Sequence, residues 1–423
     1  MSFEYLGDSL EFTLSSEPSD ETPSRRGFSK SQKFSYRNTN GKKFPETHPD
    51  RLALVAIMNA LPFTGRKLKI NWPISEKFLE SSNQSVSRIE ISAASTSQKP
   101  ISRIANGRPA LLFSGGADSV AALSVMPPST EPVFMLRTKR PWIRSLYDSD
   151  AAQESCKKLR KLGFEIHIIE SDFEYLRDPI GFPTDLSVAT PAILISESRN
   201  FDSIAFGTIL ESAYGTSGEK FRQYRDSSHF RLWHSLFESV GLGYSLPVAG
   251  VSEVGTAILC RQMALGNFHQ SCIRGKWGKP CNNCWKCFRK NTLMQALDGG
   301  EFPKDAMMML GKSKEVRKRL LEDRPIKHEG VLSYSLERSL GGGPEVDLLR
   351  DLVRVGKIET DWMNSWYSES SEFIDHSYRG FTSKKLRETL GEMSAEEISH
   401  LQNWENKNDE IRENILSRLT KLV

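Results

Sequence analysis

Residues 114–119, which read Ser-Gly-Gly-Ala-Asp-Ser, combine the residue types of a phosphate-binding loop. The apolar run 110–113 before them predicts a strand, and residues 118–125 predict a helix. A bend from a strand into a helix gathers backbone N–H groups at the positive end of the helix dipole, where anions bind. Gly115 and Gly116 permit backbone angles closed to other residues and leave room for a phosphate. The sequence therefore predicts an anion site at this bend.

The side chains of the same loop suggest how a nucleotide would be held. Ser114 and Ser119 offer hydroxyl donors, and Asp118 can bind Mg²⁺ or position the loop. The loop is not a Walker A motif, because no Gly-Lys-Ser/Thr ends it, and it lacks the third glycine of the dinucleotide fingerprint. We therefore predict an ATP site at Ser114, Gly115, Gly116, Ala117, Asp118 and Ser119, with Asp118 and Ser119 as its catalytic residues.

Four of the six cysteines form a second chemical cluster. Cys272, Cys281, Cys284 and Cys287 are separated by eight, two and two residues. Four thiolates at this spacing can close a tetrahedral Zn²⁺ site, and such a site has no open position for water, which predicts a structural role. An iron–sulfur cluster and unligated core cysteines are the alternatives. The isolated Cys156 and Cys260 are predicted to pack as small apolar side chains.

The elements around the loop predict an α/β fold with a parallel sheet and helices on both faces. Apolar runs of strand length alternate with amphipathic stretches from residue 109 to about residue 255. Predicted strands are 110–113, 132–136, 165–169 and 203–206, and predicted helices are 118–125, 149–162 and 187–199.

The flanks of this region differ in pattern. We predict an α+β module with a flexible basic loop at residues 1–105, a catalytic domain with the cysteine site at 106–292, and a helical extension at 293–423. Seven basic residues and no acidic one lie between Arg25 and Lys43. This stretch is either an arm that attracts phosphate or RNA, or a solvated linker. Predicted helices in the extension are 312–321, 346–355, 383–390 and 396–422.

Composition excludes several classes of protein. The 423 residues carry 57 Lys and Arg against 53 Asp and Glu, a formal charge of +4 that neither requires nor excludes a nucleic-acid partner. No apolar stretch is long enough to span a bilayer, and no secretory pattern opens the chain, so we expect a cytoplasmic protein with no membrane partner.

The loop resembles the SGGxDS signature of the PP-loop ATP pyrophosphatases. This resemblance implies that the loop binds the β- and γ-phosphates of ATP with Mg²⁺, that ATP is split between its α- and β-phosphates, and that AMP passes to a substrate oxygen. It also implies main-chain contacts to adenosine near Leu136. Thr208, Glu211, Ser212 and Tyr214 follow a predicted strand at the edge where α/β sheets bind ligands, and they are our candidate substrate residues.

Loop and cysteine spacing together resemble 7-cyano-7-deazaguanine synthase and its relatives over residues 109–292. The resemblance implies ATP-dependent C–N bond formation on a small carboxylate, with ammonia or an amine as the nitrogen donor. The Gly-Tyr-Pro-Asp substrate segment of that family has no counterpart here. A tRNA-modifying enzyme and a non-catalytic nucleotide-binding component of an assembly are the alternatives. The C-terminal helices could join two copies of the chain or a partner protein.

Overall fold

The computed structural model describes residues 1–16, 27–28, 32–143, 147–262, 268–406 and 415. Within these ranges the architecture is mixed α/β, with one large sheet whose strand order is β1-β2-β4-β9-β8-β7-β11-β12. Two further pairs of strands are β10 with β3 and β5 with β6. The strands are β1 Ser2–Leu6, β2 Ser9–Thr13, β3 Gly27–Phe28, β4 Lys33–Asn38, β5 Lys67–Ile70, β6 Glu90–Ala93, β7 Arg108–Leu112, β8 Glu131–Arg137, β9 His167–Ser171, β10 Arg177–Asp178, β11 Phe201–Ala205 and β12 Gly243–Ser245.

The parallel half of the sheet contains the four strands that the apolar runs predict. β7 is central, β8 and β9 follow it on one side, and β11 and β12 lie on the other. The strand order therefore reverses direction between β7 and β11. In open α/β sheets a ligand binds in the crevice at the carboxyl ends of the strands beside such a reversal. The predicted phosphate loop follows β7 directly and so lies at this point.

The N-terminal strands extend the same sheet. β1, β2 and β4 form an antiparallel meander, and Tyr36 to Asn38 pair with Ser171 to Ile169 of β9. The sheet thus continues across the boundary predicted at residue 105. The prediction of a flexible basic loop is wrong for β4, whose Lys33 and Arg37 pair with Glu11 and Glu170. Residues 17–26 and 29–31 of that loop lie outside the described residues.

Helices cover both faces of the sheet, as the alternation of apolar strands predicts. Along β7, Ala110 and Leu112 contact one core with α1 and α5, whereas Leu111 contacts the other core with α3 and α8. Successive strand residues point to opposite faces, which explains this division. The helices between residues 49 and 262 are α1 Pro49–Ala60, α2 Glu76–Ser85, α3 Ala117–Val125, α4 Asp150–Lys161, α5 Thr190–Ile195, α6 Leu210–Ala213, α7 Ser228–Ser239 and α8 Glu253–Gln262.

The rest of the described chain is mostly helical, and its part from Cys272 to Val353 builds a third core that includes the cysteines, whereas Leu386 and Leu401 of the last two helices pack into the first two cores. The long helix predicted at 396–422 is described only as α15, and most of its remainder lies outside the described residues. No helix in the described ranges is long and apolar enough to cross a bilayer. These helices are α9 Trp285–Leu297, α10 Lys304–Lys312, α11 Lys314–Arg317, α12 Glu329–Arg338, α13 Pro344–Leu352, α14 His376–Leu390 and α15 Ala395–Gln402.

The continuity of the sheet predicts one cooperative unfolding transition that includes the N-terminal meander. Phe12 is fully buried and its ring stacks on that of Phe34, with centroids 5.1 Å apart. Phe12→Ala should therefore lower the free energy of unfolding by about 3–5 kcal/mol. Leu6→Ala on the neighbouring strand, where the side chain is 48% exposed, should cost less than about 1 kcal/mol. Urea unfolding followed by fluorescence measures both, and a separate early transition in Phe12→Ala would contradict the single sheet.

Candidate functional site

The predicted arrangement of strand, bend and helix is present at residues 112–117. β7 ends at Leu112, and α3 begins at Ala117 with Gly116 as its N-cap residue. Gly115 has φ +73°, and a Cβ there would lie 3.0 Å from the Cα of Ala152. Both the backbone angle and the close approach of α4 therefore require glycine at this position.

Hydroxyl groups brace the bend from both sides. The Ser119 hydroxyl donates to the Gly116 carbonyl at 3.0 Å and accepts from the Ser114 N–H at 3.3 Å. Ser119 is buried, whereas Ser114 is exposed. The Ser114 hydroxyl lies 3.2 Å from the Ser119 hydroxyl and accepts from the Gly116 N–H at 3.4 Å, so both hydroxyl groups take part in the bend. From the cysteine-bearing segment, the Ser271 hydroxyl accepts from the Ala117 N–H at 3.3 Å.

Gly207 is a residue of the site that the sequence analysis did not single out. It follows β11, and a Cβ on it would lie 3.1 Å from the backbone nitrogen of Ser119 and 3.2 Å from the carbonyl oxygen of Asp118. The end of β11 therefore runs against the first turn of α3 with no space for a side chain. A glycine placed directly after a predicted strand was the available signal. Thr208, a candidate substrate residue, follows it and is half-buried.

Asp118 points into a group of charged side chains. Its side chain is 37% exposed, and its Oδ1 lies 3.8 Å from the Nζ of Lys290 and 3.5 Å from the hydroxyl of Thr256. Asp118 thus has one face open to solvent and one face toward a buried cation. A carboxylate in this position can meet a metal ion from the open side.

Glu253, in the first turn of α8, is the centre of this group. Its carboxylate is 1% exposed and lies 3.1 Å from Arg289, 3.2 Å from Lys290 and 3.2 Å from His328. Burial alone would raise the pKa of Glu253, but Arg289 and Lys290 outweigh burial and hold it well below its usual range. Burial, followed by the charge of Arg289, lowers the pKa of His328. Glu253 is therefore ionised in the folded chain.

These charged residues were not predicted to meet beside the bend; Arg289 was expected to offset the charge of the cysteine site and instead pairs with Glu253. Arg289 and Lys290 directly follow Cys287 and Phe288, so their place beside the cysteine motif was a signal. Glu253 and His328 had no local signal, because only the packing of α8, α9 and α12 brings them together.

Two candidate substrate residues are buried in the walls of the site. Both carboxylate oxygens of Glu211 accept from the N–H of Glu253, at 2.8 and 3.0 Å, so Glu211 supports the start of α8. Burial, followed by the charge of Glu253, raises the pKa of Glu211 to about 8. Tyr214 is 1% exposed and its ring stacks on Phe221 at 5.2 Å. The structure assigns Tyr214 to the core. Ser212 is exposed.

The carboxyl end of β8, where resemblance implies contacts to adenosine, lies beside the end of β7. Leu136 is half-buried there and packs against the core of α3. Arg137, which follows it, pairs with Glu174 and lies over the ring of Tyr147 at 4.3 Å. Arg137 is therefore engaged by the protein itself.

The four motif cysteines are brought together as predicted, and they could bind a metal. Their sulfur atoms all lie within 4.8 Å of one another. The backbone N–H groups of Cys281 and Cys287 donate to the sulfurs of Cys272 and Cys284, at 3.3 and 3.4 Å. Cys284 is also the N-cap residue of α9. The chain thus holds the ligands from a loop and from the first turn of one helix.

The remaining cysteines are buried in the core of α3, as predicted. Burial raises the pKa of both Cys156 and Cys260 to about 12. The thiol of Cys260 donates to the carbonyl of Ala117 at 3.4 Å, directly behind the bend. Because a thiolate is the reactive form, neither cysteine is prepared to act as a nucleophile.

Glu131, Glu165 and His167 form another group with metal-binding residue types. Glu131 and His167 are the first residues of β8 and β9, so the group lies at the amino ends of the parallel strands, whereas the bend lies at their carboxyl ends. Glu131 already pairs with Arg108 at 2.5 Å and with Arg199 at 3.0 Å. These two cations neutralise the carboxylate, and the group is an ion-pair network.

The raised pKa of Glu211 predicts how stability depends on pH. Between its ordinary pKa of 4.5 and about 8, the folded chain holds a proton that the unfolded chain releases. The contribution of Glu211 to stability therefore falls as the pH rises through this window. Glu211→Gln cannot ionise, so its free energy of unfolding relative to wild type should increase by on the order of 3 kcal/mol from about pH 5 to about pH 8.

Urea unfolding at several pH values measures this difference. Glu219→Gln, at a side chain that is 68% exposed, is the matched control and should follow the wild type at each pH. A Glu211→Gln difference that does not change with pH would show that Glu211 is ionised in the folded chain.

Comparison with known proteins gives limited information. A family of unknown function (DUF6395) matches residues 232–405, under half of the chain, starting after the bend and covering the cysteines and the C-terminal helices. No curated protein matches the chain. Among solved structures, the U34-tRNA thiolase NcsA from Methanococcus maripaludis, with its 4Fe-4S cluster, is similar at 16% identity with a TM-score of 0.19. That similarity covers 34% of this chain and 47% of the thiolase chain, so this chain spans about half of the thiolase. A similarity this weak decides neither the fold nor the function.

Proposed function

We propose that this protein binds Mg-ATP at residues 114–119, transfers AMP to a carboxylate substrate, and joins the activated carbonyl to an amine. The observation that carries this proposal is the Ser-Gly-Gly-Ala-Asp-Ser bend between β7 and α3, at the reversal of strand order. Glycine at 115 and 207 keeps side chains away from the bend, and the start of α3 favours negative charge. These features suit the outer phosphates of a nucleoside triphosphate.

The reaction proceeds in two balanced steps. A substrate carboxylate oxygen attacks the α-phosphorus of ATP, the bond to the β-phosphate oxygen breaks, and an acyl adenylate and pyrophosphate form. An amine or ammonia then attacks the carbonyl carbon and AMP leaves with the bonding electrons, which gives an amide after loss of one proton. The bend retains the pyrophosphate, and adenylation converts a poor leaving group into a good one.

The chain's own residues divide the work. Asp118 has its open face beside the bend and would bind Mg²⁺, and the hydroxyl of the exposed Ser114 would donate to a phosphate. Main-chain groups near Leu136 would contact adenosine, as the resemblance to PP-loop enzymes implies. The carboxylate would approach past Thr208 and Ser212, which follow β11 at the same edge of the sheet. The resemblance suggests a deazaguanine-type carboxylate.

We also propose that the cysteine cluster holds one Zn²⁺ ion. A tetrahedral ion with Zn–S bonds of about 2.3 Å places its sulfurs about 3.8 Å apart. The sulfurs of Cys281 and Cys287 are 3.8 Å apart, and all four lie within 4.8 Å of one another. A four-iron cluster binds each thiolate to a different iron, which requires more separation between the sulfurs. Four cysteines leave no site for water, so the ion would have a structural role.

The alternative of a tRNA-modifying sulfur transfer is less well supported. Such a role would use a reactive cysteine near the bend, and Cys260 is buried with its pKa raised to about 12. A non-catalytic nucleotide-binding role would use the same open bend, and release of pyrophosphate and AMP distinguishes adenylation from it.

Asp118→Ala should lower the release of pyrophosphate and AMP at least about 100-fold, because it removes the proposed metal ligand. The assay mixes the purified chain with Mg-ATP, 7-carboxy-7-deazaguanine or a panel of other carboxylates, and ammonium chloride or hydroxylamine. Asp347→Ala, at a side chain that is 70% exposed, should keep wild-type turnover. ADP as the product, or full activity of Asp118→Ala, would refute the proposed reaction.

Cys284→Ala should lose most of the bound zinc and lower the free energy of unfolding by several kcal/mol, because metal binding stabilises the folded chain. Elemental analysis and thermal unfolding measure these effects. Cys156→Ala is the matched control: it removes a fully buried thiol, should cost about 1–2 kcal/mol, and should keep the metal. Iron with inorganic sulfide in the wild-type chain would contradict a zinc site.

A further inference from the structure

Helix α9 connects the cysteine cluster to the bend. Cys284 is its N-cap residue and Cys287 lies in its first turn. Lys290 follows Cys287 by three residues, and residues at this spacing are neighbours on one face of a helix. The position of the Lys290 ammonium is therefore determined by the same end of α9 that holds two of the four cysteines.

The Lys290 ammonium lies between two carboxylates. Its Nζ is buried, 3.2 Å from the Glu253 carboxylate and 3.8 Å from the Asp118 carboxylate. Glu253 has a second cation, because Arg289 lies 3.1 Å from it. Among the described residues, the cation that pairs with the Asp118 carboxylate is Lys290. Within the described residues Asp118 thus has Lys290 as its cation, whereas Glu253 has both Lys290 and Arg289.

The distance between the Lys290 ammonium and the Asp118 carboxylate suits charge compensation without a direct hydrogen bond. At 3.8 Å the ammonium offsets the charge of the carboxylate, yet the contact is too long to be a hydrogen bond. Oδ1 of Asp118 also accepts from the Thr256 hydroxyl at 3.5 Å, and the exposed side of the Asp118 carboxylate stays open to a metal ion. Lys290 is a cation here, because a lysine side chain carries a proton at neutral pH and two carboxylates face its ammonium.

We propose that Lys290 is a positioning residue of the nucleotide site, anchored by the cysteine cluster through α9, which compensates the charge of Asp118 so that the bend accepts a triphosphate before Mg²⁺ arrives. Without this cation, an ionised Asp118 would repel the phosphates of free ATP. Mg²⁺ bound to Asp118 would take over the same compensation. This inference rests on the proposed nucleotide site and adds a role for the helix that follows the cysteines.

The test is the affinity for ATP, measured by calorimetry with the full chain in EDTA and in excess Mg²⁺. Lys290→Met should weaken ATP binding in EDTA at least about tenfold and should have a smaller effect with Mg²⁺. Lys290→Arg keeps the charge and should bind within about threefold of wild type. Lys286→Met, at an exposed position of α9, should bind as the wild type does.

A double-mutant cycle separates this role from simple support of the fold. In the Asp118→Asn background the carboxylate charge is absent, so Lys290→Met should cost about threefold or less in EDTA. Metal content and thermal unfolding of each variant show that the fold is kept. Equal losses with and without Mg²⁺, or an unchanged loss in the Asp118→Asn background, would overturn the inference while leaving the proposed function intact. A wild-type chain that binds no ATP would overturn both.

Discussion

The buried carboxylate of Glu253 sets the arrangement around the site. An ionised group that is 1% exposed is tolerated only when cations and hydrogen-bond donors surround it. Arg289 and Lys290 reach the carboxylate from α9, and His328, the N-cap residue of α12, reaches it from another side. Because the two cations belong to α9 and the His328 ring belongs to the start of α12, their contacts with one carboxylate hold α8, α9 and α12 at a common point. That point lies directly behind Asp118 and the bend.

The C-terminal helices are therefore part of the site's support. Besides His328, the bidentate pair of Arg103 with Asp375, at 2.8 and 2.9 Å, attaches the start of α14 to the segment before β7. The Tyr378 hydroxyl donates to Asp202 of β11 at 2.7 Å. The sheet, the cysteine segment and the helical extension thus meet through buried polar contacts, which depend strongly on geometry. This mutual dependence holds the Asp118 carboxylate in place beside the bend.

Local patterns predicted much of the fold and the principal parts of the site. The apolar runs located β7, β8, β9 and β11 to within a few residues but not β12, because a strand buried on both faces is apolar throughout and β12 has only three residues. Glycines between a strand and a helix predicted the bend, since residue 115 requires a positive φ. The spacing of the cysteines predicted their cluster, because metal ligands in one short segment need little help from the rest of the chain.

Contacts between distant segments were not predictable in this way. The residues of β4 resemble a solvated loop, and only pairing with β2 and β9 makes them a strand. Glu211 and Tyr214 follow a strand as substrate residues would, yet tertiary packing buries both. The amino-acid sequence by itself determined the α/β pattern, the bend and the cysteine ligands, since each depends on residues adjacent in the chain. Tertiary structure alone decided the charges that face Asp118 and the continuity of the sheet, because both require segments far apart in sequence to meet.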